Sequence, residues 1–260
     1  MGFFGILIYM NNKPYIKTGI ALIIVVTVII IGWWVIQNKN IKNDPILTVT
    51  PNEQVVVLEP VDKEIKETED LYEISINYPY YNNIGIDNEI KKYIDDTRSE
   101  FVKAFTPADP ILKEMFTNGS KGFLTISYDT KKSAKISTVV FHGSEFTGGA
   151  HPTPFISTFS IGIDGKLLGL SDLFTVSASE YLAVLSKYAS EILSNEYGDG
   201  FFKEGSDTNP ENWNHWYVDE QGNLVILFGA YQVAAYVNGE PEITIPFSEI
   251  QTIVKPELFK

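Results

Sequence analysis

The sequence predicts an α+β fold: a largely antiparallel sheet with two amphipathic helices packed on it, preceded by a single transmembrane helix. Three observations carry this. Short alternating or β-branched runs recur from Leu71 to Phe247. Two stripes at helical spacing interrupt them, and helices that break up strands in this way point to an α+β layer arrangement. Thr18 to Ile36 reads TGIALIIVVTVIIIGWWVI, without one charge.

That apolar run is close to the length that crosses a bilayer core, with Trp33 and Trp34 where an interfacial belt would lie. It is too long for a cleaved signal peptide, and no small-x-small cleavage site follows it. We expect an uncleaved signal-anchor over 18–36 behind a short tail, 1–17, with translation starting at Met1 or at Met10. The flanking lysines tie, Lys13 and Lys17 against Lys39 and Lys42, so charge alone sets no orientation. Residues 37–70 are rich in Asn, Lys, Asp, Glu and Pro and predict a polar tether with one short strand, its one apolar island being Val55 to Leu58.

The folded part is expected in two pieces, 71–118 and 119–260. In the first, Tyr72, Ile74, Ile76 and Tyr78 alternate as a one-sided strand. Asp87 is a candidate N-cap for a helix carrying Ile90, Tyr93, Ile94, Thr97, Phe101 and Phe105 on one face. In the second, Gly122–Tyr128, Ile136–Phe146 and Phe155–Ile163 form a meander. Ser177-x-x-Glu180 is a capping box opening a helix with Tyr181, Leu182, Leu185, Tyr188, Ala189, Ile192 and Leu193 inward. Trp213–Val218, Leu224–Phe228 and Glu242–Phe247 close the chain as strands.

Composition excludes several functions. With no cysteine there is no disulfide, no thiolate metal site, no cysteine nucleophile and no lipoprotein anchor. From Asp44 onward sixteen basic residues face thirty-three acidic ones, a formal balance of −17. Such a surface repels nucleic acid and attracts cations. Arg98 is the only arginine, so no arginine cluster clamps phosphates. No G-x-S-x-G, H-E-x-x-H or phosphate-loop motif is present. A metal site from His142, His151 and Glu145 is outweighed by structural roles for these lone histidines, and neither metal nor cofactor is expected. The aromatic residues Trp213, Trp216, Tyr231, Tyr80 and Tyr81 are candidates to contact a ligand, against the alternative that they fill the core.

One string stands out: Thr147, Gly148, Gly149, Ala150, His151 and Pro152 between two strands. Adjacent glycines permit a positive-φ turn, and His151 before Pro152 is biased to extended backbone. We expect at least one of these glycines at positive φ or in close backbone contact, and a structural, hydrogen-bonded His151. The same string resembles a motif of the PdaC/RsiV-like extracytoplasmic domain. So do the later Leu170-Ser171-Asp172-Leu173-Phe174, Tyr231-Gln232-Val233-Ala234-Ala235-Tyr236 and Thr244-Ile245-Pro246-Phe247, in the same order over roughly 71–256.

The resemblance implies an extracytoplasmic domain on a membrane anchor, with peptidoglycan or a cationic protein such as lysozyme as partner. In that family the module occurs as the lysozyme-binding outer part of an anti-sigma factor and fused to a peptidoglycan deacetylase domain. We expect neither attached activity here: the tail is short for a sigma-factor contact, and no chain remains for a deacetylase domain. The expectation is therefore a non-catalytic binding module, with an envelope-stress sensor and a wall-modifying hydrolase or deacetylase as alternatives.

Overall fold

The structure is a computed structural model that describes residues 59–105, 114–116 and 120–260. The expected membrane segment 18–36, the island at Val55–Leu58 and the prolines after the first helix, Pro107 and Pro110, lie outside the described residues. Among the described residues no helix is long and apolar enough to cross a membrane.

Among the described residues the fold is α+β and mostly antiparallel, but with two sheets, not one, each with its own helix. The larger sheet holds six strands in sequence order, β1 to β6, and the smaller holds β7, β8 and β9. β1 (Val61–Thr68) pairs along its whole length with β2 (Tyr72–Tyr80). It corrects the tether expected to run to residue 70. Apart from Ile65 and Glu67 its residues are exposed. A charged edge strand supplies backbone pairing but little core, and so shows no apolar alternation in sequence.

α1 (Ile84–Lys103) follows β2 and crosses to β3 (Gly122–Lys132), which lies parallel to β2. Asn83 is its N-cap, accepting from the backbone N–H groups of Gly85 and Ile86. Asp87, the expected cap, sits one turn in. From there its carboxylate accepts from the N–H of Tyr81 and of Asn83, both at 2.7 Å. It ties the incoming chain to the helix start, where negative charge is favourable. Ile86, Ile90, Ile94 and Phe101 form the buried stripe.

β4 (Ile136–Phe146) and β5 (Thr153–Gly162) complete the meander, and β6 (Leu167–Leu168) is a short return. β3 runs four residues further than its apolar pattern, so Asp129–Lys132 is strand and the hairpin turn is tighter than expected. α2 (Ala178–Tyr197) starts at the expected box, where the Glu180 carboxylate accepts from the N–H of Ser177. β7 (Trp216–Val218), β8 (Leu224–Leu227) and β9 (Glu242–Ile245) are all shorter than predicted. Trp213 belongs to a preceding helical turn, and Phe247 opens a four-residue helix, α3 (Phe247–Ile250).

Two apolar cores result. One lies between α1 and β2–β5, around Ile76, Ile90, Leu124 and Phe141; the other lies between α2 and β7–β9, around Leu185, Trp213, Ile226 and Phe228. A bridge of Val140, Ile156 and Leu227 joins the rear of the large sheet to the small one.

Arg98 forks onto Glu67, with both nitrogen–oxygen distances 2.6 Å, and so ties α1 to the edge strand β1. Lysine cannot reproduce that bidentate geometry. Arg98→Lys should cost under about 1 kcal/mol overall, because both side chains are partly solvated. It should also speed amide exchange in β1 before any other strand, measurable by hydrogen–deuterium exchange. Uniform acceleration across the sheet would contradict this.

Candidate functional site

The β4–β5 connection and the loop after β8 meet at one end of the large sheet. Pairing of Glu145 with Thr153 leaves the whole Thr147–Pro152 string in the connection. Gly148 and Gly149 both have φ of 110°, as expected for at least one of them. A Cβ on Gly149 would meet nothing within 4 Å. Its glycine is thus required by backbone conformation and not by space.

His151 folds back on this turn. Its Nδ1 lies 2.9 Å from the carbonyl oxygen of Pro152. A carbonyl only accepts, so Nδ1 carries the proton. In the neutral ring Nε2 is then an acceptor, and it faces the hydroxyl of Tyr231 at 3.5 Å. The ring stacks on Tyr236, with centroids 4.1 Å apart and planes 26° apart. The hydroxyl of Tyr236 donates to the same Pro152 carbonyl at 3.1 Å. Tyr231 completes the group, its ring 5.4 Å from that of Tyr236.

The second side of the site is held from below. Gln232 accepts from the N–H of Gly229 and donates to the carbonyls of Gly205 and Asn212. Its carbonyl approaches Gly205 so closely that a Cβ there would sit 1.8 Å away, leaving room only for glycine. Val233 and Ala234 are fully buried just beyond. Between these anchors Tyr231 is held at φ of 66° with 55% of its surface exposed. A non-glycine residue in that region is strained, and such strain persists only where neighbours over-determine it.

The other predicted aromatic contacts do not join this site. Trp213 and Trp216 are 1% and 3% exposed and fill the smaller core. The indole N–H of Trp213 is spent on the carbonyl of Asp207. Tyr81 is also buried, in the other core, where burial pushes its phenol up to about 12. Tyr80 is exposed but lies at the opposite end of β2. Tyr236 belongs to the site, although the sequence marks it only as part of a motif. Its one signal in sequence is the five-residue spacing from Tyr231 across two small buried residues. Asp172, Leu173 and Phe174 are structural. Asp172 accepts from the N–H of Gly169, Leu173 is in the core, and Phe174 stacks on Tyr181 at 4.2 Å.

His142 points from the rear of β4, 3.8 Å from Asp129, well away from His151 in the turn. His215 and Glu240 flank one end of β8, through Leu227 N–H to His215 O and Phe228 N–H to Pro241 O. His215 Nδ1 and Glu240 Oε1 are buried without a hydrogen-bond partner. Burial lowers the His215 pKa and raises that of Glu240, with neighbouring His142 opposing the latter. Among the described residues no group of three or more histidines and carboxylates is placed to hold a metal ion.

These features define an α+β module with two helix-backed sheets and an aromatic cluster on a double-glycine turn. Residues 65–153 match the family model described as Deacetylase PdaC, and residues 171–248 match DUF3298, a family of unknown function. The chain carries a PdaC/RsiV-like domain. It is 28% identical over 192 residues to the peptidoglycan-N-acetylmuramic acid deacetylase PdaC of Bacillus subtilis (strain 168). That match covers 72% of this chain but 40% of the relative, so the chain spans well under half of that protein. Two crystal structures share the fold. A DUF3298 family protein of Pseudomonas aeruginosa PAO1 has a TM-score of 0.52 at 19% identity, covering 77% of this chain and 95% of that one. A DUF3298 family member of Bacteroides fragilis NCTC 9343 has 0.57 at 17%, covering 76% and 94%.

Three outcomes follow from this geometry. Tyr231→Gly relieves the backbone strain that Tyr231→Ala keeps, while both remove the ring. The glycine variant should therefore be the more stable by about 1 kcal/mol, read as a higher thermal midpoint. Gly149→Ala, at an open but positive-φ position, should lose about 1 kcal/mol or more.

The third outcome concerns pH. His215 is held neutral by burial, so its folded pKa lies below the unfolded value near 6.5. The unfolded chain therefore binds the proton first, and His215 costs stability as pH falls below about 6.5, levelling off below its folded pKa. Glu240 has the opposite sense, since its raised pKa favours the fold toward acid. In denaturant titrations from pH 7 to 5, His215→Gln should lose less stability than the parent. An unchanged slope would show that His215 already protonates freely in the fold.

Proposed function

We propose that this chain is a single-pass, membrane-anchored protein whose domain lies outside the cell and binds a cell-wall-related ligand through the His151–Tyr231–Tyr236 face. The observation that carries the reading is Tyr231 itself, an exposed aromatic at positive φ beside the hydrogen-bonded Gln232 and the buried Val233 and Ala234. Strain of this kind clusters where a surface must be pre-organised. Aromatic faces with polar edges suit a saccharide, whose C–H faces pack on rings while its hydroxyls exchange hydrogen bonds. The Bacillus relative's name connects a protein carrying a similar domain with peptidoglycan. The charge-free run at 18–36 supports the anchor.

A second reading rests on charge. The balance of −17 after residue 43 favours a cationic wall-active protein, lysozyme in kind, over a neutral glycan. Steering of that sort weakens steeply with salt, whereas ring stacking does not.

The test uses the full chain in lipid nanodiscs. Retention on purified peptidoglycan should survive physiological salt and fall roughly tenfold, about 1.4 kcal/mol, in Tyr236→Ala. Calorimetry against lysozyme and cytochrome c at two salt concentrations separates the second reading: preference for lysozyme that survives salt would support it. Release of acetate from peptidoglycan would instead make the protein a deacetylase. No retention of either ligand would remove the aromatic face as a binding site.

A further inference from the structure

The register of the large sheet separates two ends. At one end lie the double-glycine turn and the aromatic cluster, beyond the pair Glu145–Thr153. At the other lie the first described residues, Glu59 and Val61, beside the end of β2, the start of β4 and the end of β5. The length of β4 sets these ends about 33 Å apart, at ~3.3 Å per residue.

Exposed apolar side chains gather at this second end. Val61 and Tyr80 are direct partners across β1 and β2, and they are 61% and 37% exposed. Ile84, at the first turn of α1, is 83% exposed, and Ile163, after β5, is 49% exposed. The Asn83 amide bonds to the Gly165 carbonyl, which brings the helix start and the β5–β6 turn together. Four large apolar residues are thus presented around one rim. A groove of about 300 Å³ opens there, with Lys63, Tyr78, Tyr80, Ile84 and Lys91 among its walls.

Lysines surround this rim. Lys63 lies over the Tyr80 ring at 5.1 Å. Lys132 and Lys135 flank the β3–β4 turn and Lys166 the β5–β6 turn, with Lys132 paired to Glu59 and Lys166 to Asp164. Among the described residues neither Lys63 nor Lys135 has a carboxylate within salt-bridge distance. In a domain balanced at −17, this is a place where lysines and exposed apolar side chains coincide. Aromatic and aliphatic residues with nearby lysines are the composition of an interfacial surface, rings at headgroup level and ammonium groups among phosphates.

Position supplies the occupant. Residues 37–58, twenty-two in number, separate the apolar run from the described domain. Fully extended they reach at most about 75 Å, and the domain's first strand begins at this rim. The chain therefore enters the domain at this rim, and the length of the tether lets the rim reach the bilayer. We infer that the rim formed by Val61, Tyr80, Ile84 and Ile163 is a membrane-contact surface, seated among the headgroups of the membrane that holds the chain's own anchor. This rests on the anchored reading above. It sets the domain so that the aromatic cluster faces away from the lipid.

The absence of cysteine makes the test direct. Ile84→Cys in the full chain can carry a single environment-sensitive fluorophore. Val237→Cys, 89% exposed in the loop next to Tyr236, is the control at the other end. In nanodiscs containing anionic lipid, the label at 84 should emit further to the blue and be quenched several-fold more by spin-labelled lipid than the label at 237. Adding Val61→Asp and Tyr80→Asp should return the label at 84 to an aqueous spectrum without lowering incorporation. Incorporated protein with equally aqueous labels at both positions would overturn the inference alone. Protein that never incorporates into nanodiscs would overturn the anchor and this inference with it.

Discussion

Burial of β4 on both faces is the constraint on which the rest of the structure depends. Val139 and Phe141 point into the core beneath α1, while Ile136 and Val140 point to the smaller sheet and its helix. Thr138, between them on the rear face, is buried and meets its need through the hydroxyl of Ser160. A strand buried on both faces cannot slip by one residue, because every side chain would exchange one core for the other. Its register with β3 and β5 is therefore pinned, and with it the place where the chain must turn back. The aromatic cluster exists where it does because the turn is located by packing along the whole strand.

The cluster itself is assembled from two loops that are each held independently. The β4–β5 turn is shaped by glycines at positive φ, and the loop after β8 is anchored by Gln232 and two buried small residues. Contact between the loops is then light: one stack, a carbonyl shared by two donors, and one longer bond. Loops on a rigid scaffold with a strained backbone presenting an exposed ring are the usual setting for recognition. His215 and Glu240, at one end of β8, belong to stability and its pH response, since each is a group whose charged form partial burial disfavours.

The two ends of the large sheet have different chemistry. One presents rings with polar edges on the far side from the tether. The other presents aliphatic and aromatic side chains among lysines where the chain joins the domain. A parallel β2–β3 pair, spanned by α1, is what brings the end of β2 to the same side as the end of β3. An antiparallel pair would have sent Tyr80 to the opposite end and dispersed that rim.

Much of the local structure was legible in the sequence because local physics determines it. The α2 capping box, the inward stripes of both helices, the bounds of β4 and the positive φ of the double glycine all follow from side chains acting within a few residues. Asp87 shows the limit: its carboxylate does engage the helix start, but Asn83 takes the cap, a choice made by where Tyr81 leaves the sheet. β1 was not legible, since an edge strand is chosen by its neighbour's free backbone and not by its own apolar pattern. The same holds for the aromatic residues. Trp213 and Trp216 look like Tyr231 in sequence, yet the first two are enclosed by α2 and the small sheet while Tyr231 is left on the surface. Only tertiary packing decides which ring meets solvent, because exposure depends on what covers a residue from elsewhere in the chain.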